Sequence, residues 1–226
     1  MNPKKWIAEL VIIIALIFVL NFSVTFIAVS GFGIITGQLL NLVAFLIFLI
    51  WSLYRITSLK KSNLSNLYML FNTRFSIKEL LLIVLIFVVG NLAYSFLIEI
   101  DIVRSIKVDV YRHFSLDNHT FEEYRLIILI ILVLIIVVGV FTEELFFRGY
   151  LFNVQFELYG KYTWIINGIS WSIFHIFSNT NFIALLPTAF LYSYVYQQKR
   201  NLRITIGAHL IMNLIAGYHL ISKFIH

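Results

Sequence analysis

Two adjacent carboxylates and a guanidinium, Glu143, Glu144 and Arg148, interrupt the otherwise apolar and aromatic run 137–152. A charge at the centre of a bilayer costs at least roughly 2.5–3.5 kcal/mol. Three charges at one depth therefore call for partners or a chemical task. Residues four apart on a helix share a face, whereas neighbours differ by about 100°. Glu144 precedes Arg148 by one turn, the favourable order for a helical ion pair, and a guanidinium can take both carboxylate oxygens. Glu143 points elsewhere and has no partner on its own helix. The spacing thus divides the labour: Glu144 and Arg148 form a structural pair, and Glu143 is the reactive carboxylate. A carboxylate held in an apolar site can serve as a general base near neutral pH. On this cluster alone, a purely structural role for all three residues is the competing reading.

Two further groups of polar residues lie in later apolar runs. Trp171 and His175 are four apart in Trp171-Ser172-Ile173-Phe174-His175, and His209 and Asn213 are four apart in the last run. Taken singly, each would pass as a hydrogen-bonding residue between helices. Gly207 and Ala208 would let a neighbouring helix or a substrate backbone come close. Together, Glu143, His175, His209 and Asn213 come from three runs and could converge on one buried polar pocket. A base, two imidazoles and an amide are the parts needed to hydrolyse a peptide bond, with one group activating water and others stabilising the oxyanion or protonating the leaving amine. The same set could instead hold a divalent metal such as zinc, through His175 and His209 with Glu143. No His-Glu-x-x-His zinc motif is present. No cofactor is favoured, and a metal-free glutamate mechanism and a metal-assisted one both stay open on these residues.

The elements that position these residues are membrane helices. Of 226 residues, 61% are hydrophobic and 12% charged, against about 25% charged in a soluble domain. The segments are apolar on all sides, which excludes the alternating pattern of a transmembrane barrel. The expected fold is all-α, a polytopic transmembrane bundle with a polar catalytic pocket between its fourth, fifth and seventh spans. About seven apolar runs are expected as spans: Trp6–Val29, Phe32–Tyr54, Ile77–Ile98, Leu126–Phe152, Tyr162–Phe177, Phe182–Gln197 and Ile204–Ile221. The first is too long for a signal peptide and reads as an uncleaved span. Pro187 is expected to kink the sixth. His209 and His175 reach one depth only if the fourth helix runs on to about Phe152 and the fifth starts late.

The chain reads as one integral membrane domain, 1–226, with a protease-like core at 126–222 and accessory spans at 1–98. The net charge of +6 sits mostly in loops, where topology accounts for it, so nucleic acid is not an expected partner. With a cytoplasmic N-terminus, twelve of the 17 lysines and arginines face the cytoplasm and five the outside, which favours that orientation. The chain has no cysteine, which excludes disulfides, thiolate metal sites and a cysteine nucleophile. His113 and His119 lie in a polar external segment, and His219 falls on a different face from His209.

The three motifs, in order and in spans, resemble the CPBP family (CAAX proteases and bacteriocin-processing proteins, also called the Abi family). That family's pattern is Glu-Glu-x-x-x-Arg, then Phe-x-x-x-His, then His-x-x-x-Asn or Asp. It matches Glu143–Arg148, Trp171–His175 and His209–Asn213 over roughly Val140–Gly217. Trp171 stands where the family usually has Phe, an aromatic exchange that still suits packing beside His175. The resemblance implies an intramembrane endopeptidase in which Glu143 activates water with His175, while His209 and Asn213 form the oxyanion site. Glu144 and Arg148, with Trp171, would support the first motif. It further implies a multi-pass protein of the plasma membrane whose partners are the lipid bilayer and a membrane-associated peptide or protein substrate. The family has been described both as metallo- and as glutamate-dependent endopeptidases. A small bacterial member acting in bacteriocin maturation or self-immunity is the expected role. The alternatives are a non-enzymatic immunity or scaffold protein that binds a partner helix, and a proton-relaying transporter. The chain shows no inverted repeat to support the transporter.

Overall fold

The computed structural model describes residues 6–16, 33–58, 76–105, 125–176 and 181–222. Among them every regular element is helical. In chain order these are α1 (Trp6–Leu16), α2 (Gly33–Thr57), α3 (Ile77–Ile98), the short α4 (Asp101–Ser105) and α5 (Arg125–Glu144). A π-helical segment (Leu145–Leu151) leads into α6 (Phe152–Tyr159), and a 3₁₀ turn (Gly160–Tyr162) into α7 (Thr163–Phe174). The chain ends with α8 (Leu186–Lys199) and α9 (Leu202–Ser222). The outer end of the expected first span, and the segment holding His113 and His119, lie outside the described residues.

Three helical stretches are long and apolar enough to cross a bilayer: Ile35–Thr57, Ile77–Ile98 and Leu126–Phe174. Large aliphatic residues on their outer faces, including Ile50, Leu81 and Leu126, are exposed, as suits helices surrounded by lipid. The third stretch holds 49 residues. Straight, it would measure roughly 70 Å, more than twice the hydrocarbon thickness. It does not run straight. Gly160 takes a positive φ of 50°, and beyond it α7 packs back on the preceding helix. Contacts between Phe147 and Asn167 and between Glu143 and Trp171 mark this antiparallel return. The fourth helix therefore runs past Phe152 to Tyr159, and the fifth starts late, the condition under which His175 and His209 meet. α7 and α8 have 12 and 14 residues, fewer than the roughly 20 needed for a full crossing.

Two expectations about local structure are corrected. Pro187 does not kink the sixth helix; α8 begins at Leu186, so the proline occupies the first turn, where its missing N–H has no carbonyl to lose. The fourth helix is not α-helical throughout, because its winding widens at Leu145–Leu151.

Aromatic packing joins α2 to the widened turn. Phe146 stacks on Trp51 at 6.0 Å and meets Phe48 at 5.3 Å, while Phe147 meets Phe174 of α7 at 5.2 Å. Lipid tails are as apolar as these side chains, so close packing rather than removal from water holds such contacts. Polar ties fix the ends. Glu9 of α1 accepts from Arg55 of α2 and from Tyr150 of the π segment. Ser76 and Glu79 form a reciprocal capping box that starts α3, and Glu79 also pairs with Arg203 at the start of α9 at 2.9 Å.

A buried network ties the reversal together. Asn167 donates to the Phe147 carbonyl (2.9 Å) and to Gln155 (3.0 Å), and accepts from Ser193 of α8 (3.0 Å). Gln155 in turn donates to Ser170 at 3.1 Å. Beside it, a Cβ on Gly168 would lie 2.5 Å from a ring carbon of Phe190 and 3.1 Å from that residue's backbone nitrogen. Only glycine lets α7 and α8 approach this closely. Gly168→Val is expected to destabilise the protein by about 1–3 kcal/mol, as overpacking does, read as a lower midpoint of thermal unfolding in detergent. Gly207 serves a similar approach: a Cβ there would lie 2.8 Å from Ile83 of α3. A neighbouring helix, rather than a substrate, occupies that side.

Candidate active site

Glu143 and Glu144 end α5, Trp171 and His175 lie on the last turn and cap of α7, and His209 and Asn213 lie near the middle of α9. The structure brings all of them together. Glu143 is nearly buried, and one oxygen, Oε2, is the focus. It accepts a hydrogen bond from the Trp171 indole Nε1 at 3.0 Å. His175 Nε2 lies 3.5 Å from the same oxygen and His209 Nε2 4.0 Å.

Partners at the far ring nitrogens set the tautomers. His175 Nδ1 is 2.9 Å from the Trp171 carbonyl, which can only accept, so Nδ1 carries hydrogen. Nε2 is then the ring atom turned toward Glu143. His209 Nδ1 is 3.0 Å from Glu144 Oε1, again an acceptor, so Nδ1 carries hydrogen there too. His209 Nε2 faces Glu143 and sits 3.4 Å from the Asn213 amide nitrogen. Two imidazole edges and one carboxylate oxygen thus share a small space, with the Asn213 amide at its border.

Glu144 and Arg148 are both fully buried and paired at 3.0 Å. The expected two-pronged contact is not what forms: a single Nη1–Oε1 bond joins them. The guanidinium instead lies over the Trp171 ring at 4.9 Å and near that of Tyr192 at 5.9 Å. Glu144 also does more than the helical spacing suggested. The oxygen that takes Arg148 also takes His209, so this carboxylate links the first motif to the last helix.

Trp171 packs beside His175 as its aromatic character suggests, with centroids 4.6 Å apart, and meets the His209 ring edge-on at 5.2 Å. Its hydrogen bond to Glu143 was not legible from aromaticity alone. Tyr192, Asn167, Gln155, Ser170 and Ser193 were also missed. Their one signal in the sequence is that polar side chains recur within apolar helices, and such groups need partners.

A metal ion needs several imidazole or carboxylate donors converging on one point. Among the described residues, no group of three or more histidine and carboxylate side chains is arranged to hold one. Glu143 Oε2, the oxygen both imidazoles approach, accepts the indole N–H.

A helical membrane protein with a buried carboxylate–histidine cluster between its reversed fourth helix and its last one is the class that fold and site define. Residues 125–215 match the family model described as Type II CAAX prenyl endopeptidase Rce1-like, which supports the resemblance of this segment to the CPBP family of CAAX-type proteases. The matched stretch contains Glu143, Glu144, Arg148, Trp171, His175, His209 and Asn213. Neither a curated protein nor a solved structure matches the chain.

Proposed function

We propose that this protein is an intramembrane endopeptidase that hydrolyses peptide bonds of membrane-associated peptides or proteins, with Glu143 as the base that activates water. One observation carries the reading: groups from three helical segments converge on a single Glu143 oxygen in a nearly buried site. In the resting tautomer, Glu143 and His175 Nε2 face each other as two acceptors at 3.5 Å. A water molecule supplies the donors this arrangement needs. Glu143 takes a proton from it while the oxygen attacks the scissile carbonyl carbon. The carbonyl oxygen becomes an oxyanion, which the Asn213 amide and the Nε2 edge of His209 stabilise. His209 donates there when both of its nitrogens are protonated, with the Glu144 carboxylate opposite that charge. The proton held by Glu143 then passes to the leaving nitrogen, directly or through His175, as the carbon–nitrogen bond breaks. The products are a carboxylic acid and an amine, which ionise in water to a carboxylate and an ammonium, and the site returns to its starting state.

Asn213 and His209 lie in one helix and Glu143 in another, so the site assembles only when the bundle is intact. A multi-pass topology, a cytoplasmic N-terminus and the plasma membrane remain the preferred setting, the orientation on the distribution of lysine and arginine. Maturation or clearance of small peptides such as bacteriocins is the proposed role, by analogy with the bacteriocin-processing members of the family this chain resembles.

Hydrolysis by free water has a direct test. The purified protein in liposomes is given a mixed library of membrane-binding and lipidated peptides in ¹⁸O-water. New peptide C-termini carrying one ¹⁸O are expected, and their yield is expected to survive 1,10-phenanthroline and EDTA. Loss of cleavage on chelation, with recovery on adding zinc, would replace the metal-free mechanism. No cleavage of any peptide by folded protein would count against the endopeptidase reading.

A further inference from the structure

Trp171 is fully buried and touches Glu143, His175 and His209. Its N–H lies 3.0 Å from Glu143 Oε2, and its ring meets His175, His209 and Tyr192. The Arg148 guanidinium covers the ring at 4.9 Å. Packed on these sides, the indole is held against rotation, and the direction of its N–H is fixed by the surrounding helices. The chemistry of that group matters. An indole nitrogen donates only and cannot accept a proton. It therefore occupies one lone pair of Oε2 without competing for the proton Glu143 is to receive.

Resting on the reading of Glu143 as the base, we propose that Trp171 is a positioning residue: its indole N–H locks the Glu143 carboxylate in the orientation that presents its remaining lone pairs to water. A glutamate carboxylate has three side-chain torsions that can carry it out of line, and holding a reacting group within a fraction of an ångström is worth large factors in rate. A phenyl ring at this position would fill much of the same space and leave the carboxylate free to turn. The hydrogen bond, not the ring, is the functional element.

The test separates the two. Trp171 is replaced by β-(3-benzothienyl)alanine, which keeps the bicyclic shape and puts sulfur in place of N–H, and in parallel by phenylalanine. Both are assayed in liposomes on a cleaved peptide beside wild type and Glu143→Gln. Both replacements are expected to lower kcat about tenfold, the worth of one charge-assisted hydrogen bond, with KM changed less than about twofold. The benzothienyl variant should unfold at the wild-type temperature, which a packing role for the N–H would not require. A benzothienyl variant with wild-type kcat, beside an inactive Glu143→Gln, overturns the positioning role and leaves the base assignment standing. A Glu143→Gln protein that retains kcat overturns both.

Discussion

Glu143→Gln is expected to lower peptide hydrolysis by about 10²–10⁴-fold, the usual worth of a positioned general base, while the protein stays folded in the membrane. The two side chains have nearly the same shape. The Gln oxygen can still accept from the Trp171 N–H, so the packing around the site survives. What is lost is the carboxylate that takes a proton from water, and the adjacent carboxylate does not replace it: Glu144 is turned to Arg148 and His209. kcat and kcat/KM should fall together, because the proton moves only on the way to the transition state. The check is initial-rate kinetics on a cleaved peptide, at protein levels matched by immunoblot and with thermal unfolding recorded for both proteins. A loss of rate accompanied by an equal loss of folded protein would place Glu143 among the structural residues.

Arg148→Leu is expected to have the largest effect on stability, about 3–5 kcal/mol, as follows when one partner of a buried ion pair is removed. Arg148 and Glu144 have no exposed surface, so solvent cannot compensate the carboxylate left behind. The substitution also removes the cation above Trp171 and Tyr192. His209 would remain as the neighbour of a stranded charge, and its own position depends on that carboxylate. A greatly reduced yield of folded protein and a lower unfolding midpoint in detergent are the expected results. Arg148→Lys should recover little, because an ammonium does not reproduce the flat contact with the indole ring. Wild-type stability in Arg148→Leu would mean that the pair is not what holds the first motif.

The site was legible where it depended on helical spacing and illegible where it depended on how helices meet. Glu144 and Arg148 pair because they are four apart, and the widened winding that begins just after Glu144 does not break that contact. The freedom of Glu143 to face another helix followed from the same geometry. His209 and Asn213 share a face for the same reason. The convergence on one oxygen did not follow from any local pattern. It depends on the reversal at Gly160, which returns α7 along the fourth helix, and on the Asn167 network that holds this return. The π winding left no mark that periodicity could detect, since every residue in Leu145–Leu151 is buried and no face is distinguished. Pro187 was read as a kink because the sixth apolar run begins before the helix does. In fact 182–185 form turns, with the Asn181 side chain accepting from Ile183 and Ala184, and the proline opens the helix. The count of spans likewise rested on apolar length, which does not distinguish a full crossing from a short buried helix.

The most direct test compares the peptides of membranes and medium from cells carrying wild type with those from cells carrying Glu143→Gln, both proteins present at equal levels in the membrane. If Glu143 activates water for peptide-bond hydrolysis, a defined set of new peptide ends appears with wild type and is absent with the variant, and those ends give the cleavage site. Identical peptide sets from the two, with any growth or immunity phenotype intact in the variant, would contradict an endopeptidase and favour a protein that acts by holding a partner helix.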